Sequence, residues 1–146
     1  MVLKRYYIDT CIWLNLFKKE GDAERGVPYW EIADKFINNI KESEQGDVIV
    51  STIVLKELTF KLKESFNKKR SFFKEKPYII IVKMIAEDIL LARKIESENN
   101  YQIGFCDCLH IAIAKRLDAT LVTRDKDLII IGRRYVYVDK PENLIC

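Results

Sequence analysis

Residues 104–128, GFCDCLHIAIAKRLDATLVTRDKDL, decide the fold class. From Asp107 to Leu117 the chain has helical spacing with apolar residues on nearly every side: Leu109, Ile111, Ala112, Ile113, Ala114 and Leu117. A helix apolar all round is a buried one. It runs almost directly into TLVT at 120–123, short and β-branched as a strand should be, and then into the polar turn TRDKD. A buried helix feeding a strand is half of a βαβ unit.

The rest of the chain repeats that alternation. Strands are expected at about residues 2–8, 47–50, 78–82, 120–123 and 135–138, and helices at about 10–18, 29–43, 52–68, 86–99 and 107–117. IIIVKMIAEDILL, which begins within the third strand, also reads as one continuous buried helix. Alternating β and α elements produce a largely parallel sheet covered on both faces, and right-handed crossovers restrict its topology. The expected class is α/β, a sandwich around a mostly parallel five-stranded sheet.

With 146 residues, 49% of them hydrophobic and 32% charged, the chain suits one globular domain spanning 1–146. The polar, Gly/Pro-punctuated segment 18–28, KKEGDAERGVP, reads as a mobile connection. No apolar stretch has the length of a signal peptide or membrane span, so a cytoplasmic location is expected and no membrane partner. The cysteines Cys11, Cys106, Cys108 and Cys146 lack C-x-x-C spacing and are expected to be reduced core thiols. A net charge of +3 is mild, but residues 61–76 carry Lys61, Lys63, Lys68, Lys69, Arg70, Lys74 and Lys76 against only Glu64 and Glu75.

Four acidic residues fall where such a fold brings side chains to one sheet edge. Asp9 closes the first strand, Glu57 lies in the second turn of the helix after VIVST, Asp107 opens the buried helix and Asp125 follows the fourth strand. Each also has a plain structural reading. Asp9 and Asp107 suit helix caps, Asp125 a turn, and Glu57 a surface pair with Lys61 four residues on. Taken together they form a candidate metal cage, because carboxylates ~5 Å apart repel by roughly 3 kcal/mol per pair at an effective dielectric of about 20. A hard divalent cation offsets that charge.

Other chemistries lack their parts. His110, the only histidine, shares a helical flank with Ala114 and Leu117 and reads as a packed, hydrogen-bonded core residue, which weakens serine or cysteine nucleophile schemes. No G-x-S-x-G elbow, phosphate-binding glycine loop or dinucleotide fingerprint occurs.

In YYIDTCIW (6–13), STIVLKEL (51–58) and the 104–128 stretch, the chain resembles the PIN-domain ribonucleases, and among them the single-domain VapC-like toxins of toxin–antitoxin pairs. The likeness spans nearly the whole chain. It implies a PIN-like α/β/α sandwich, Mg²⁺ or Mn²⁺ as cofactor, and endonucleolytic hydrolysis of RNA that leaves a 5′-phosphate and a 3′-hydroxyl. Asp9, Glu57, Asp107 and Asp125 then match the family's acidic residues, with Thr10, Thr123 and Asp127 supporting them. Cys11 stands where many relatives have a small hydroxyl residue.

The same resemblance implies a cognate antitoxin and a homodimer as partners. Arg124, Lys61, Lys68, Lys69 and Arg70 are candidate RNA contacts, with Phe66, Phe72 and Phe73 interleaved for base stacking. A haloacid-dehalogenase-like phosphatase would want a second aspartate at Cys11, and a Toprim-like domain a glutamate at Asp9. A catalytically silent RNA-binding module and a housekeeping RNA-processing nuclease are the remaining alternatives.

Overall fold

The structure, a computed structural model, describes residues 4–19, 26–44 and 46–145. Its sheet holds five strands in the order β3-β2-β1-β4-β5, every pair parallel. The strands are β1 (Lys4–Ile8), β2 (Gly46–Ser51), β3 (Ile79–Val82), β4 (Thr120–Val122) and β5 (Val138–Asp139). The helices are α1 (Thr10–Lys18), α2 (Tyr29–Ser43), α3 (Thr52–Leu62), α4 (Arg70–Lys74), α5 (Ala86–Glu98), α6 (Phe105–Arg116) and α7 (Lys126–Gly132). With right-handed crossovers, the steps β1→β2→β3 carry α1 to α4 on one face. The return to β4 and the step to β5 carry α5, α6 and α7 on the other.

Both faces are dry. Val48, Ile49 and Val50 of β2 are buried in succession, the pattern of a central parallel strand, and α6 buries every residue from Cys108 to Ala114. On the α1 side the core is aromatic: the ring centroids of Trp13 and Phe73 lie 4.9 Å apart, and Phe17 and Phe72 pack edge-on at 5.9 Å. α6 is tied to the start of α5 through Asp88, which is buried and accepts from Arg116 Nε–H at 2.9 Å, Arg116 Nη2–H at 3.0 Å and the Ile85 amide at 2.9 Å.

Several expectations need adjustment. The helix expected over 52–68 stops at Leu62; Lys63 has φ 53°, and a 3₁₀ turn at Lys63–Lys68 leads into the unforeseen α4. That break lets Phe66 and Phe73, both 1% exposed, reach the aromatic core. Residues 79–82 form a strand, so the continuous-helix alternative fails. α6 begins at Phe105, which puts Asp107 inside its first turn, while Gly104 takes the cap. α7 was hidden by its brevity, and β5 lies later than 135–138.

α7 comes so close to β5 that a Cβ at Gly132 would stand 2.9 Å from Val138 Cγ2, a reason for glycine there. Cys11, Cys106 and Cys108 are free thiols as expected, but Cys106 is exposed rather than part of the core. Residues 1–3, most of the 18–28 connection and Cys146 lie outside the described residues.

Candidate active site

From the central pair β1 and β4 the chain departs in opposite directions, and the crevice at the carboxyl ends of such strands is where an open parallel sheet binds ligands. Asp9 stands there, its amide donating to Val122 O at 2.9 Å and its carboxylate buried. Asp9 Oδ1 accepts from the Thr10 amide at 2.8 Å, which also caps α1. Its Oδ2 accepts from Thr123 Oγ1–H at 2.8 Å and from the Cys11 thiol at 3.4 Å. The Asp125 amide donates to Thr123 Oγ1 at 3.2 Å, so one buried hydroxyl links the two aspartates. Burial, then the Asp9 charge, pushes the Cys11 thiol up to about 12 and keeps it a proton donor.

Two helices complete the group. Glu57 on α3 is half-buried, and its Oε1 accepts from His110 Nε2–H at 2.7 Å; the same nitrogen lies 3.8 Å from Asp9 Oδ1. Asp107, in the first turn of α6, is pushed up to about 6 by burial first and then by the charges of Asp9, Asp125 and Glu57, with His110 acting the other way. All four acidic residues therefore share one electrostatic neighbourhood. His110 is fully buried; desolvation lowers its pKa, but the Glu57 hydrogen bond and the surrounding carboxylates outweigh it and the net shift is upward.

The carboxylates do not stand ready as a cage. Among the described residues no three His, Cys, Asp or Glu side chains are gathered closely enough to hold a metal ion. Three of the four are held by hydrogen bonds within the protein: Asp9 by Thr10, Cys11 and Thr123, Glu57 by His110, and Asp125 Oδ1, which caps α7 by accepting from the Asp127 and Leu128 amides. The donor chemistry nevertheless fits a hard divalent cation, with carboxylate oxygens from Asp9, Glu57, Asp107 and Asp125. Thr10 Oγ1, buried beside Asp9 without a partner in the protein, is a further oxygen left to be satisfied.

The supporting residues divide. Thr123 makes the contact expected of it. Asp127 is exposed and meets Asp125 only through its amide. Lys61, Lys68, Lys69 and Arg70 are all exposed, but Phe66 and Phe73 are core, which removes them as stacking platforms. Arg124 is committed internally: it donates to Asn15 Oδ1 at 3.2 Å and Glu142 Oε2 at 2.8 Å and stacks 3.9 Å from the Tyr29 ring centroid.

Residues 6–133 match the family model of the PIN domain. The chain belongs to the PIN domain family. Solved structures share its fold. A chain of VapBC2 from Rickettsia felis, bound to a DNA fragment from their promoter, is 21% identical with a TM-score of 0.65, over 93% of this chain and 98% of that one. FitAcB from Neisseria gonorrhoeae gives 18% and 0.68 over 94% and 98%, and a toxin–antitoxin complex from Klebsiella pneumoniae 19% and 0.63 over 93% and 97%. No curated protein sequence is similar enough to count as a relative. PIN domains are generally nucleases.

Within this PIN domain, the buried His110 expected from the sequence has partners that the sequence did not name. His110, Tyr7 and Ser51 form a buried hydrogen-bonded row, Tyr7 Oη lying 2.6 Å from both Ser51 Oγ and His110 Nδ1. The signal was spacing: Tyr7 precedes Asp9 by two residues on one strand, and His110 follows Asp107 by three on one helix.

Asp107 also makes a stability prediction. Its folded pKa is raised, so its contribution is fully present below about 3.8 and is lost as the pH rises through about 6. Discounted for its partial exposure, the penalty at pH 8 is about 1–2 kcal/mol. In metal-free buffer Asp107→Asn should therefore melt several degrees above the unsubstituted protein at pH 8 and level with it at pH 4. Equal melting temperatures at both pH values would show that Asp107 bears no such charge strain.

Proposed function

We propose that this PIN domain is a Mg²⁺- or Mn²⁺-dependent endoribonuclease and the toxin of a toxin–antitoxin pair. The observation that carries this reading is geometric: Asp9 and Asp125 meet on the Thr123 hydroxyl at the switch-point crevice, and His110 Nε2, bonded to Glu57, lies 3.8 Å from Asp9 Oδ1. Burial first, and then the charges of Asp9, Asp125 and Glu57, raise the Asp107 carboxyl at the same place. Four carboxylates concentrated around a single histidine are costly to keep unless a cation is part of their use. Family membership supports the nuclease, and the likeness of fold to toxin–antitoxin proteins supports the partner.

Asp9, Asp107 and Asp125 would hold the ion, with Glu57 at a second ion or at the attacking water. A divalent ion bound there supplies a nucleophilic water at neutral pH and offsets charge on the non-bridging phosphate oxygens. The chain's own residues do the rest. Thr123 and the Thr10 amide fix both oxygens of Asp9, and Glu57 takes the proton of the attacking water. The water oxygen bonds to phosphorus, the P–O3′ bond breaks and the leaving oxygen takes a proton from solvent, giving a 5′-phosphate and a 3′-hydroxyl.

Lys61, Lys68, Lys69 and Arg70 carry the phosphate backbone, so affinity falls steeply with salt. Substrate and activity are placed in the cytoplasm. The antitoxin covers the acidic crevice. A homodimer belongs to the same proposal: β3 is an edge strand, and from it through the connection into α5 the chain exposes Ile81, Met84, Ile85 and Leu90, apolar surface a second copy would bury.

Purified protein should cut labelled RNA in Mg²⁺ or Mn²⁺ and stop on addition of EDTA. Asp9→Asn should lower kcat by about 100-fold or more with an unchanged circular dichroism spectrum. RNA bound but never cut, at any metal concentration, would make the chain a binding module instead. Sedimentation equilibrium should return twice the chain mass, and a monomer at micromolar concentration would remove the homodimer.

A further inference from the structure

Beneath the acidic crevice runs a row of hydrogen bonds with both ends on one helix. Ser51 caps α3, its Oγ accepting from the Val54 amide at 3.1 Å. Tyr7 Oη lies 2.6 Å from Ser51 Oγ and 2.6 Å from His110 Nδ1, and His110 Nε2 lies 2.7 Å from Glu57 Oε1, back on α3. Ser51, Tyr7 and His110 are all fully buried, so every donor in the row must find its acceptor inside the protein.

One assignment satisfies every group with a neutral imidazole. The Val54 amide donates to Ser51, Ser51 O–H to Tyr7, Tyr7 O–H to His110 Nδ1, and His110 Nε2–H to Glu57. All donations then point the same way, from the amino end of α3 toward the carboxylate, and bonds aligned in this manner polarise one another.

The members sit one layer below the acidic residues. Tyr7 is two residues before Asp9 on β1, so both side chains leave the strand on the same face, and His110 is three residues after Asp107 on α6. Ser51 lies at the end of β2, on α3's own boundary. Through hydrogen bonds alone the row spans β1, α3 and α6, which carry or adjoin Asp9, Glu57 and Asp107. Glu57, half exposed on a surface helix with Lys61 one turn away, would otherwise be free to rotate into solvent.

We propose that His110 is a positioning residue: through Nε2–H it holds the Glu57 carboxylate over the acidic crevice, and is itself oriented by Tyr7 and Ser51. This rests on the nuclease reading for its consequence in catalysis, but not for the hydrogen bond itself. His110 touches no substrate in this account and acts through Glu57.

The chain's single histidine makes the test clean. Protein labelled with ¹⁵N-histidine should give one imidazole whose Nε2 carries a slowly exchanging proton, and Glu57→Gln should shift that resonance. An unprotonated Nε2, or a resonance indifferent to Glu57→Gln, overturns the proposal. In steady-state RNA cleavage, His110→Asn keeps a group near Nδ1 but loses the Glu57 contact, and should lower kcat by about 10–100-fold with KM within about two-fold. His110→Gln, whose amide reaches toward Glu57, should recover much of the loss.

Combined with Glu57→Gln, His110→Asn should cost less than about two-fold more, whereas a purely structural histidine would cost its full factor again. Full additivity overturns the proposal. Should His110→Asn fail to fold, Tyr7→Phe puts the same question through the Nδ1 resonance and kcat. Wild-type protein that cuts no RNA while showing the bonded Nε2–H would sink the nuclease reading and leave the positioning bond standing.

Discussion

The hydrogen bond from Thr123 to Asp9 fixes the geometry on which everything else in this PIN domain depends. It joins the carboxyl ends of β1 and β4, the two strands from which the chain departs in opposite directions, and closes at 2.8 Å inside a crevice with no water-exposed surface on the threonine. Asp125 is drawn to the same hydroxyl through its amide. One side chain therefore sets the spacing of two acidic residues more than a hundred positions apart in sequence. A hydrogen bond to a buried carboxylate is among the stronger kinds, and losing it would leave Asp9 Oδ2 with the Cys11 thiol alone.

Around that bond the protein tolerates an arrangement that favours binding over stability. α6 is buried along its whole middle and tied to α5 by the Arg116–Asp88 pair, which leaves its first turn little room to retreat. Burial there, and then the charges of Asp9, Asp125 and Glu57, push the Asp107 carboxyl up to about 6. Sites that store unfavourable charge commonly trade stability for function.

Much of this was legible in the sequence. The continuous apolar face of 107–117 and the βα alternation fixed the class, and Asp9 and Asp125 could be placed because they follow strands directly. Sequence order marked the acidic positions, but a local use was open to each as well, and the structure shows two of those local uses: Asp9 caps α1 and Asp125 caps α7. Less legible was anything that depends on packing between distant elements. The end of α3 at Lys63 follows from the pull of Phe66 and Phe73 toward Trp13, a tertiary demand no local pattern states. His110 was rightly read as a buried, bonded histidine, yet its partners come from β1 and α3 and could not be named from helical periodicity. Arg124 looked available because it sits in a polar turn, and only the fold brings Asn15, Tyr29 and Glu142 around it.

The central claim is that Asp9 and Asp107 share a divalent cation at the β1/β4 crevice. A crystal grown with Mn²⁺ and measured at the manganese absorption edge tests it most directly. The account predicts an anomalous peak within coordination distance of oxygens from both residues, with Glu57 still bonded to His110 or turned to a water on the ion. A well-ordered crevice with no such peak, or a peak bound elsewhere while Asp9 and Asp107 keep their present partners, would contradict it.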